Sequence, residues 1–313
     1  MSRNLKGISI LLTTALLWGF TFPAQRIIAS HNIGAFTLNF LRCAIASVML
    51  GIILAIRSGI SKKEGRKKEM EKPTSRMLAA GLICGAFLAA GINLQQFGLQ
   101  FYPNGIASSG RAGFLTSTYV VLVALLSVFF GKKVHPITFF AGGLCMIGMY
   151  LLCMGGDVSR LYLGDVLMLL DACGFAAQIM AVDYFSEIDG MTLSFLQFVV
   201  CTMISLVGML LFEHFDPDQL REVIFPLLYC GIGASGGGFT LQIIGQKYAD
   251  PAPASIAMSM ESVFSGLGGW IILGETMNGR ELTGCALVFT AVILTQIPQF
   301  FVSERADSPG SGK

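Results

Sequence analysis

Charged residues are scarce in this chain. Asp, Glu, Lys and Arg make up 13% of its 313 residues, whereas a soluble domain carries roughly a quarter. Hydrophobic residues make up 54%, and the mean hydropathy is +0.69. The apolar residues form runs of about 20, the length of a helix that crosses the hydrocarbon core of a bilayer. This composition excludes a soluble fold and predicts an all-α, polytopic membrane protein, because the strands of a membrane barrel alternate over about 10 residues.

The sequence also lacks two motifs of nucleotide-driven and metal-dependent hydrolytic chemistry. It contains no Walker loop and no HExxH, which argues against an ATP-driven pump and against a metalloprotease of that class. The 8 cysteines contain no CxxC pair, and none of the 3 histidines stands at ligand spacing beside them, so we interpret the cysteines as packing residues. We therefore predict a protein that is not an enzyme, has no cofactor and no metal, and binds no nucleic acid.

The apolar runs divide the chain into ten predicted transmembrane helices. Their approximate bounds are 7–28, 34–56, 77–98, 105–130, 136–155, 161–182, 191–212, 223–245, 252–273 and 281–301.

The distribution of Lys and Arg predicts the orientation of these helices. Of the 21 basic residues, 8 lie in the segment 57–76, and basic loops face the cytoplasm. This places both termini in the cytoplasm of a cell (inner, cytoplasmic) membrane. The segment 183–190 is the exception, because it falls on the cytoplasmic side yet carries three acidic residues and no basic one.

The chain contains an internal repeat. Residues 37–42 read TLNFLR and residues 192–197 read TLSFLQ, at a shift of 155. Gln96, Gln100 and Tyr102 recur 146 positions later, as a Gln, Gln, Tyr set in the second half. We predict a first five-helix repeat over 1–156, a second over 157–303 and a disordered cytoplasmic tail over 304–313. Because each repeat has an odd number of spans, the second copy enters the membrane inverted, an arrangement typical of transporters.

Glycine and proline positions give two local predictions. Gly81 and Gly85 have GxxxG spacing, as do Gly233 and Gly237. Such faces let helix backbones approach closely, either as static packing or as a surface on which helices rock. Pro23 is expected to interrupt the first span, because it has no N–H for the helical ladder.

Four ionisable residues lie deep within the predicted spans, where a charge is costly unless it is paired or wetted. They are Arg42, Arg111, Asp171 and Glu261. One interpretation is that they form structural ion pairs; the other is that they face a central cavity and act on a solute or a proton. Asp171 and Glu261 are the candidates for proton coupling, since a carboxyl group in a low-dielectric site can bind and release a proton near neutral pH. An intramembrane enzyme that uses this carboxyl pair is the less favoured alternative.

Uncharged polar and aromatic side chains recur at the same depth, and an organic solute needs aromatic walls with a few fixed hydrogen-bond partners. We predict that the following residues line its path, with Arg42 or Arg111 available to an anionic group: Trp18, Gln96, Tyr119, Gln178 and Gln242.

Three stretches resemble the EamA-type branch of the drug/metabolite transporter superfamily. They are Ala-Leu-Leu-Trp-Gly-Phe at 15–20, Leu-Arg-Cys-Ala at 41–44, and Met-Glu-Ser-Val-Phe at 260–264 running on to Leu-Gly-Glu at 273–275. The likeness covers about residues 7–300. The resemblance implies ten helices, cytoplasmic termini and inverted repeats around a central cavity.

The favoured function is a secondary transporter that moves a small organic metabolite or drug-like solute by alternating access, with a proton as a candidate coupling ion. A carrier of nucleotide sugars or lipid-linked substrates on the same scaffold is the alternative, followed by a passive channel. The expected partners are the solute and membrane lipid, and the chain is expected to be a monomer or a homodimer.

Overall fold

The protein is helical throughout the described residues, which contain no β-strand. The computed structural model describes residues 3–29, 31, 33–63, 74–102, 108–154, 160–214, 220–273 and 278–297. The predicted tail, 304–313, lies outside them. The helices are α1 Arg3–Gly19, α2 Thr21–Ala29, α3 Ala35–Lys63, α4 Ser75–Gln100, α5 Ser108–Thr116, α6 Tyr119–Phe129, α7 Pro136–Cys153, α8 Leu163–Tyr184, α9 Gly190–Phe212, α10 Leu220–Leu228, the π-helix π1 Tyr229–Phe239, α11 Thr240–Gln246, α12 Pro251–Met258, α13 Met260–Leu273 and α14 Gly279–Leu294.

Within the described residues, 7 helical stretches are long and apolar enough to cross a membrane. They are Ala35–Ile60, Ser75–Gln100, Ala112–Phe129, Pro136–Cys153, Leu163–Tyr184, Gly190–Phe212 and Leu220–Gln246. The chain is therefore a multi-pass membrane protein. The predicted first and ninth spans are each two shorter helices, and α14 has 16 residues, so the full number of ten spans stays a prediction.

The predicted fourth span is also divided, into α5 and α6. In each of these three spans, the break involves either a proline that cannot donate a backbone hydrogen bond or a hydroxyl group that donates to a backbone carbonyl. Pro23 cannot donate to the carbonyl of Gly19, four residues earlier, and α1 ends at Gly19. Thr118 ends the α5 turn, and its hydroxyl group donates to the Leu115 carbonyl at 2.7 Å. Ser259 separates α12 from α13 and donates to the Ile256 carbonyl at 2.7 Å. The hydroxyl groups thus replace ladder bonds where no water is available.

The glycine-rich run of the second half forms the π-helix π1, and α1 holds it in place. The indole Nε1 of Trp18 donates to the Ala234 carbonyl at 3.1 Å, and the hydroxyl group of Tyr229 donates to the Leu17 carbonyl at 2.8 Å. A Cβ atom on Gly238 would lie 2.6 Å from the indole nitrogen. Glycine at that position therefore lets π1 lie directly against the Trp18 ring.

One end of the bundle is held together by the acidic segment 183–189. Basic side chains from other parts of the chain contact it: Arg57 on Asp189 at 3.2 Å, Arg76 on Glu187 at 2.6 Å, Lys132 on Asp183 at 2.5 Å, and Lys247 on the Ile188 carbonyl. We call the segment with these four basic residues the ionic end. The acidic loop that departed from the charge pattern thus lies among the basic residues of its own side.

The first helices of the two predicted repeats begin at opposite ends of the bundle. Near the start of α1, the Lys6 ammonium group lies 4.8 Å from the centre of the Tyr248 ring, beside the ionic end. Near the start of α8, Asp165 accepts from the hydroxyl group of Tyr102 at 2.8 Å, where α4 has just ended. At this same end, the Glu213 carboxylate caps α3 by accepting from two of its first backbone N–H groups.

The bundle core is shared by both halves of the chain. Its largest buried apolar cluster joins α1, α6, α7 and α8 to α12, α13 and α14. Helix contacts elsewhere depend on glycine. A Cβ atom on Gly81 would lie 2.6 Å from Cβ of Leu196, and one on Gly85 would lie 2.6 Å from Cβ of Val200. The predicted Gly81 and Gly85 face therefore packs α4 directly against α9.

Gly85→Ala is expected to destabilise the protein, because the new methyl group would also lie 2.7 Å from the Gln197 carbonyl oxygen. Overpacking of this kind costs about 1–3 kcal/mol. Thermal unfolding in detergent measures the loss. Gly143→Ala is the matched control, since a Cβ atom there meets nothing within 4 Å. Equal unfolding temperatures for the two variants would contradict the proposed close packing of α4 on α9.

Candidate functional site: a cavity between the two halves

A cavity of about 560 Å³, counting the space that is open to solvent, lies inside the bundle. The residues that line it come from both halves of the chain: Trp18, Thr21, Gln25, Arg42, Ile92, Gln95, Thr116, Tyr119, Phe175, Gln178, Ile179, Phe239, Gln242 and Glu261.

Aromatic rings form much of the wall. Trp18 of α1, Tyr119 of α6, Phe175 of α8 and Phe239 of π1 all line the cavity. The rings of Trp18 and Phe239 pack with centroids 4.6 Å apart. The hydroxyl group of Tyr119 is buried without a hydrogen-bond partner among the described residues. Flat apolar surfaces with a few free polar groups suit an organic solute better than an inorganic ion.

The cavity contains one deep cationic side chain whose surroundings are described. Arg42 is 4% exposed, and its Nε donates to the hydroxyl group of Ser235 on π1 at 2.9 Å. No ion pair to Arg42 and no hydrogen bond from its terminal nitrogens is found within the described part of the chain. The guanidinium group is therefore anchored on one side and available to the cavity on the other.

Glu261 supplies a carboxyl group on another part of the wall. It is 8% exposed and lies in the first turn of α13, just after the break at Ser259. No donor to its carboxyl group is found within the residues that the structure describes. The N-terminus of a helix favours negative charge. The break at Ser259 therefore places the Glu261 carboxyl group where the start of α13 stabilises a negative charge.

Amide side chains form a network between the cavity and the ionic end. Gln242 donates to Gln178 at 2.9 Å and to Gln246 at 3.0 Å. Gln246 in turn donates to the Ile179 carbonyl at 3.0 Å, and Gln178 donates to Gln197 at 3.2 Å. These bonds tie α11 and α9 to α8, and each is buried.

Six of the nine predicted site residues line the cavity, two lie elsewhere, and the side chain of one is outside the described residues. Gln96 is 1% exposed and does not line it, whereas its neighbour Gln95 does. Asp171 is fully buried behind Thr116, whose hydroxyl group donates to it at 2.9 Å. Arg111 belongs to α5, but its side chain lies outside the described residues. Where side chains are described, no cluster of three His, Cys, Asp or Glu residues could hold a metal ion.

Of the eight lining residues that sequence reasoning did not assign to the path, five share a signal. Thr21 and Gln25 continue the helical spacing from Trp18, and Thr116, Phe175 and Phe239 each precede a predicted path residue by three positions. Residues three or four apart share one face of a helix. Extending each predicted residue along its own helix face indicates these five, but not Gln95 or Ile179, which directly neighbour predicted residues.

The geometry defines a helical membrane protein with an internal cavity that is lined by aromatic and polar side chains from both halves of the chain. The EamA-like transporter family model matches residues 5–154 and again residues 162–297. The chain belongs to the EamA-like transporter family, as its resemblance predicted, and is a membrane transporter.

Two further comparisons concern a sequence relative and a protein of known structure. The chain is 29% identical over 289 residues to an uncharacterized transporter of Archaeoglobus fulgidus, covering 92% of this chain and 84% of that protein. Its fold is similar to that of a protein of known crystal structure, with a TM-score of 0.76 at 18% identity over 96% of this chain and 99% of the other. The second likeness shows the fold alone.

Thr116→Val is expected to destabilise the protein by about 1–3 kcal/mol, because it leaves both carboxyl oxygens of Asp171 buried without a partner. Thermal unfolding of the purified protein measures this. Adding Asp171→Leu to the Thr116→Val variant should recover most of the loss, since removing both partners leaves nothing unsatisfied. Thr13→Val, at an exposed helical hydroxyl group, is the control. A double variant no more stable than Thr116→Val alone would contradict this pairing.

Proposed function

We propose that this chain is a secondary carrier that moves a small organic solute across the cell membrane by alternating access. In this proposal the cavity is the solute site, and the two five-helix repeats, inverted relative to each other, exchange conformations around it. Trp18, Tyr119, Gln178 and Gln242 contact the solute.

The observation that carries the proposal is a difference between matching residues of the two repeats. Gln242 is bonded to Gln178 and lines the cavity. Gln96, its counterpart at a shift of 146, is buried with neither amide atom bonded to any described residue. A buried amide without partners costs free energy. The matching glutamines of the two repeats thus differ in their hydrogen bonding. This difference supports a carrier that occupies one of two alternative conformations.

The positions of the helix breaks support the same proposal. The break at Ser117 and Thr118 interrupts the predicted fourth span, and the break at Ser259 interrupts the ninth, its counterpart in the second repeat. Both breaks adjoin the cavity, since Thr116 and Glu261 line it. Discontinuous helices at matching positions of two repeats are characteristic of substrate sites in secondary transporters.

We place the ionic end in the cytoplasm, because it contains the basic residues that the positive-inside rule assigns to that side. Its ion pairs join α8 and α9 to α3, α4 and α6. Solvent-exposed pairs contribute only about 0–1 kcal/mol each. These contacts can therefore hold the cytoplasmic side closed in this conformation and still separate when the cavity opens inward.

Proton coupling is assigned to Glu261 rather than to Asp171. The carboxyl group of Glu261 lines the cavity and has no described donor, so water and protons that enter the cavity reach it. Asp171 is fully buried and bonded to Thr116. Its role in this proposal is to position Thr116 at the end of α5, next to the solute.

Sided labelling of a cysteine in the cavity tests alternating access. In a background without the 8 native cysteines, Thr21→Cys should react with a membrane-impermeant thiosulfonate cation from the outside only. Adding Arg76→Glu, which replaces the bond to Glu187 with repulsion, should shift labelling to the cytoplasmic side in inside-out vesicles. The charge-swapped pair Arg76→Glu with Glu187→Arg should restore outside labelling.

Lys133→Glu is the control, because it changes the same charge near the ionic end at an exposed residue without a described partner. It should leave the sidedness unchanged. Labelling to the same extent from both sides in every variant would indicate a pore. Absence of labelling from either side would mean that the cavity is not on the transport path. Either result would contradict the proposal.

The ionic end should weaken in acid. Burial acts to raise the pKa of Glu187, but hydrogen bonds from its own backbone N–H and from Arg76, with the charges of Arg76 and Lys247, bring that pKa below its ordinary value. Burial also acts to raise the pKa of Asp189, and bonding to Thr192 with the charge of Arg57 lowers it overall. Because both pKa values are depressed in the folded state, the stabilisation is present above the unfolded pKa values and is lost as pH falls through the folded ones.

Thermal unfolding between pH 7 and pH 3 measures this loss. Glu187→Gln should flatten the decline that the parent shows below about pH 5, and Arg76→Gln should flatten it too, because it removes the partner. An unchanged decline in both variants would show that this pair contributes nothing to the pH dependence.

A further inference from the structure

The cavity wall holds a positive charge that the described part of the chain does not neutralise. Arg42 is 4% exposed and lines the cavity, and a guanidinium group stays charged in proteins. Among the residues that the structure describes, no carboxylate lies within ion-pair distance of it. A buried charge without a counterion is strongly unfavourable, so Arg42 needs an anion from outside the protein. This inference rests on the proposed function, because it takes the cavity to be the solute site.

The guanidinium group has free donors on the side that faces the cavity. Its Nε donates to the hydroxyl group of Ser235 at 2.9 Å, and its terminal nitrogens make no hydrogen bond with the described residues. Those nitrogens are not among the polar atoms that are sealed from solvent without a partner. Because the residue as a whole is buried, the space that reaches them is the cavity. The bond to Ser235 thus orients a planar pair of N–H groups, which matches the two oxygens of a carboxylate.

The acidic residue of the wall does not supply the missing negative charge while it carries a proton. Among the described acidic residues, Glu261 alone lines the cavity. It is 8% exposed, and neither a cation nor a hydrogen-bond donor contacts its carboxyl group within the described ranges. A buried carboxyl group without such partners is neutralised by binding a proton, and the proposed coupling uses this protonated state. With that proton bound, the described lining residues carry one net positive charge.

The rest of the wall favours a solute with a flat apolar body and a single negative charge. The rings of Trp18, Phe175 and Phe239 line the cavity, and an inorganic anion would make little use of such surfaces. A phosphate monoester carries a charge of about −1.5 to −2, which exceeds the one positive charge available. An α-amino acid adds an ammonium group, and so brings a second positive charge into a cavity that already contains Arg42.

We infer that the substrate class is an aromatic monocarboxylate. Its carboxylate binds the terminal nitrogens of Arg42, its ring lies against the aromatic side chains, and Glu261 is protonated while it is bound. The occupied cavity then has no net charge, which lowers the free-energy cost of holding the solute at membrane depth. The charge of Arg42, oriented by Ser235, is the feature that selects the solute.

Three ligands with the same ring and the same three-carbon chain test this selection. They are 3-phenylpropanoate, its neutral amide 3-phenylpropanamide, and L-phenylalanine, which adds an ammonium group to the anion. Calorimetry with the purified full-length protein in detergent measures their binding. The anion is expected to bind at least about 10-fold more tightly than the amide, because a hydrogen bond to a charged group is the stronger one, and more tightly than L-phenylalanine. Equal or tighter binding of L-phenylalanine overturns the proposal, as does the absence of binding by the anion.

Arg42→Gln tests whether this side chain is the source of the preference. The variant should weaken 3-phenylpropanoate by about 10- to 100-fold and change binding of the amide by less than about threefold. A residue with only a structural role would weaken both ligands alike, and that result contradicts the proposal. Lys133→Gln is the matched control, because it removes the same charge at an exposed residue. It should keep the preference for the anion, and an equal loss there would assign the preference to the overall charge and reject Arg42.

Two features keep the test decisive. If Arg42→Gln does not fold, the wild-type protein still reports the ratio of the two affinities, and a preference for the anion below about threefold overturns the proposal. The binding measurement is also separate from the sided labelling of Thr21→Cys. A sided response without binding of 3-phenylpropanoate rejects the substrate class and retains the carrier. Binding of the anion without a sided response retains the ligand site and rejects the carrier.

Discussion

The hydrocarbon core offers no water to a polar group, and this constraint accounts for most of the arrangement described above. A helix satisfies its own backbone, so any interruption must be repaired by side chains or open onto a cavity. Thr118 and Ser259 repair the breaks at α5 and α12 through their hydroxyl groups. Glu213 repairs the start of α3 by accepting from its first N–H groups. Some of the groups that remain unsatisfied, such as the hydroxyl group of Tyr119, lie in the cavity wall.

The same constraint explains why irregular backbone surrounds the cavity. The π-helix π1, the break after α5 and the break after α12 all contribute residues to its wall, namely Phe239, Thr116 and Glu261. Irregular helices are tolerated at membrane depth where they are buried in protein or line a cavity. Hydrogen bonds from Trp18 and Tyr229 join π1 to α1. These bonds fix the position of the π-helix within the bundle.

Sequence reasoning found the helical membrane class and the family, because long apolar runs and the EamA-like motifs are local signals. It also selected Trp18, Gln242 and Glu261, which line the cavity, because polar and aromatic residues stand out singly in apolar spans. It could not separate Gln96 from Gln95, since adjacent residues on a helix differ by about 100° in direction and both are glutamine. It could not find π1, because a glycine-rich run is compatible with several backbone geometries. Equally, the repeat pairs Gln96 with Gln242 but carries no information on which of the two is bonded in a given conformation.

The proposed carrier needs two conformations of similar free energy, so neither can hold a large excess of stabilising contacts. This condition would explain why hydrogen-bonded and unbonded polar side chains occur together in this structure. The ionic end is held by ion pairs of modest strength, and the amide network beneath the cavity is bonded except at Gln197 Nε2 and Gln242 Oε1. Against these stands the buried, unbonded Gln96, which would gain partners if the first repeat adopted the arrangement of the second. The free-energy cost of the unbonded Gln96, set against weak and reversible bonds elsewhere, keeps the two proposed conformations close in free energy. A deeply buried ion pair at either end of the bundle would favour one conformation too strongly, because separating it costs several kcal/mol.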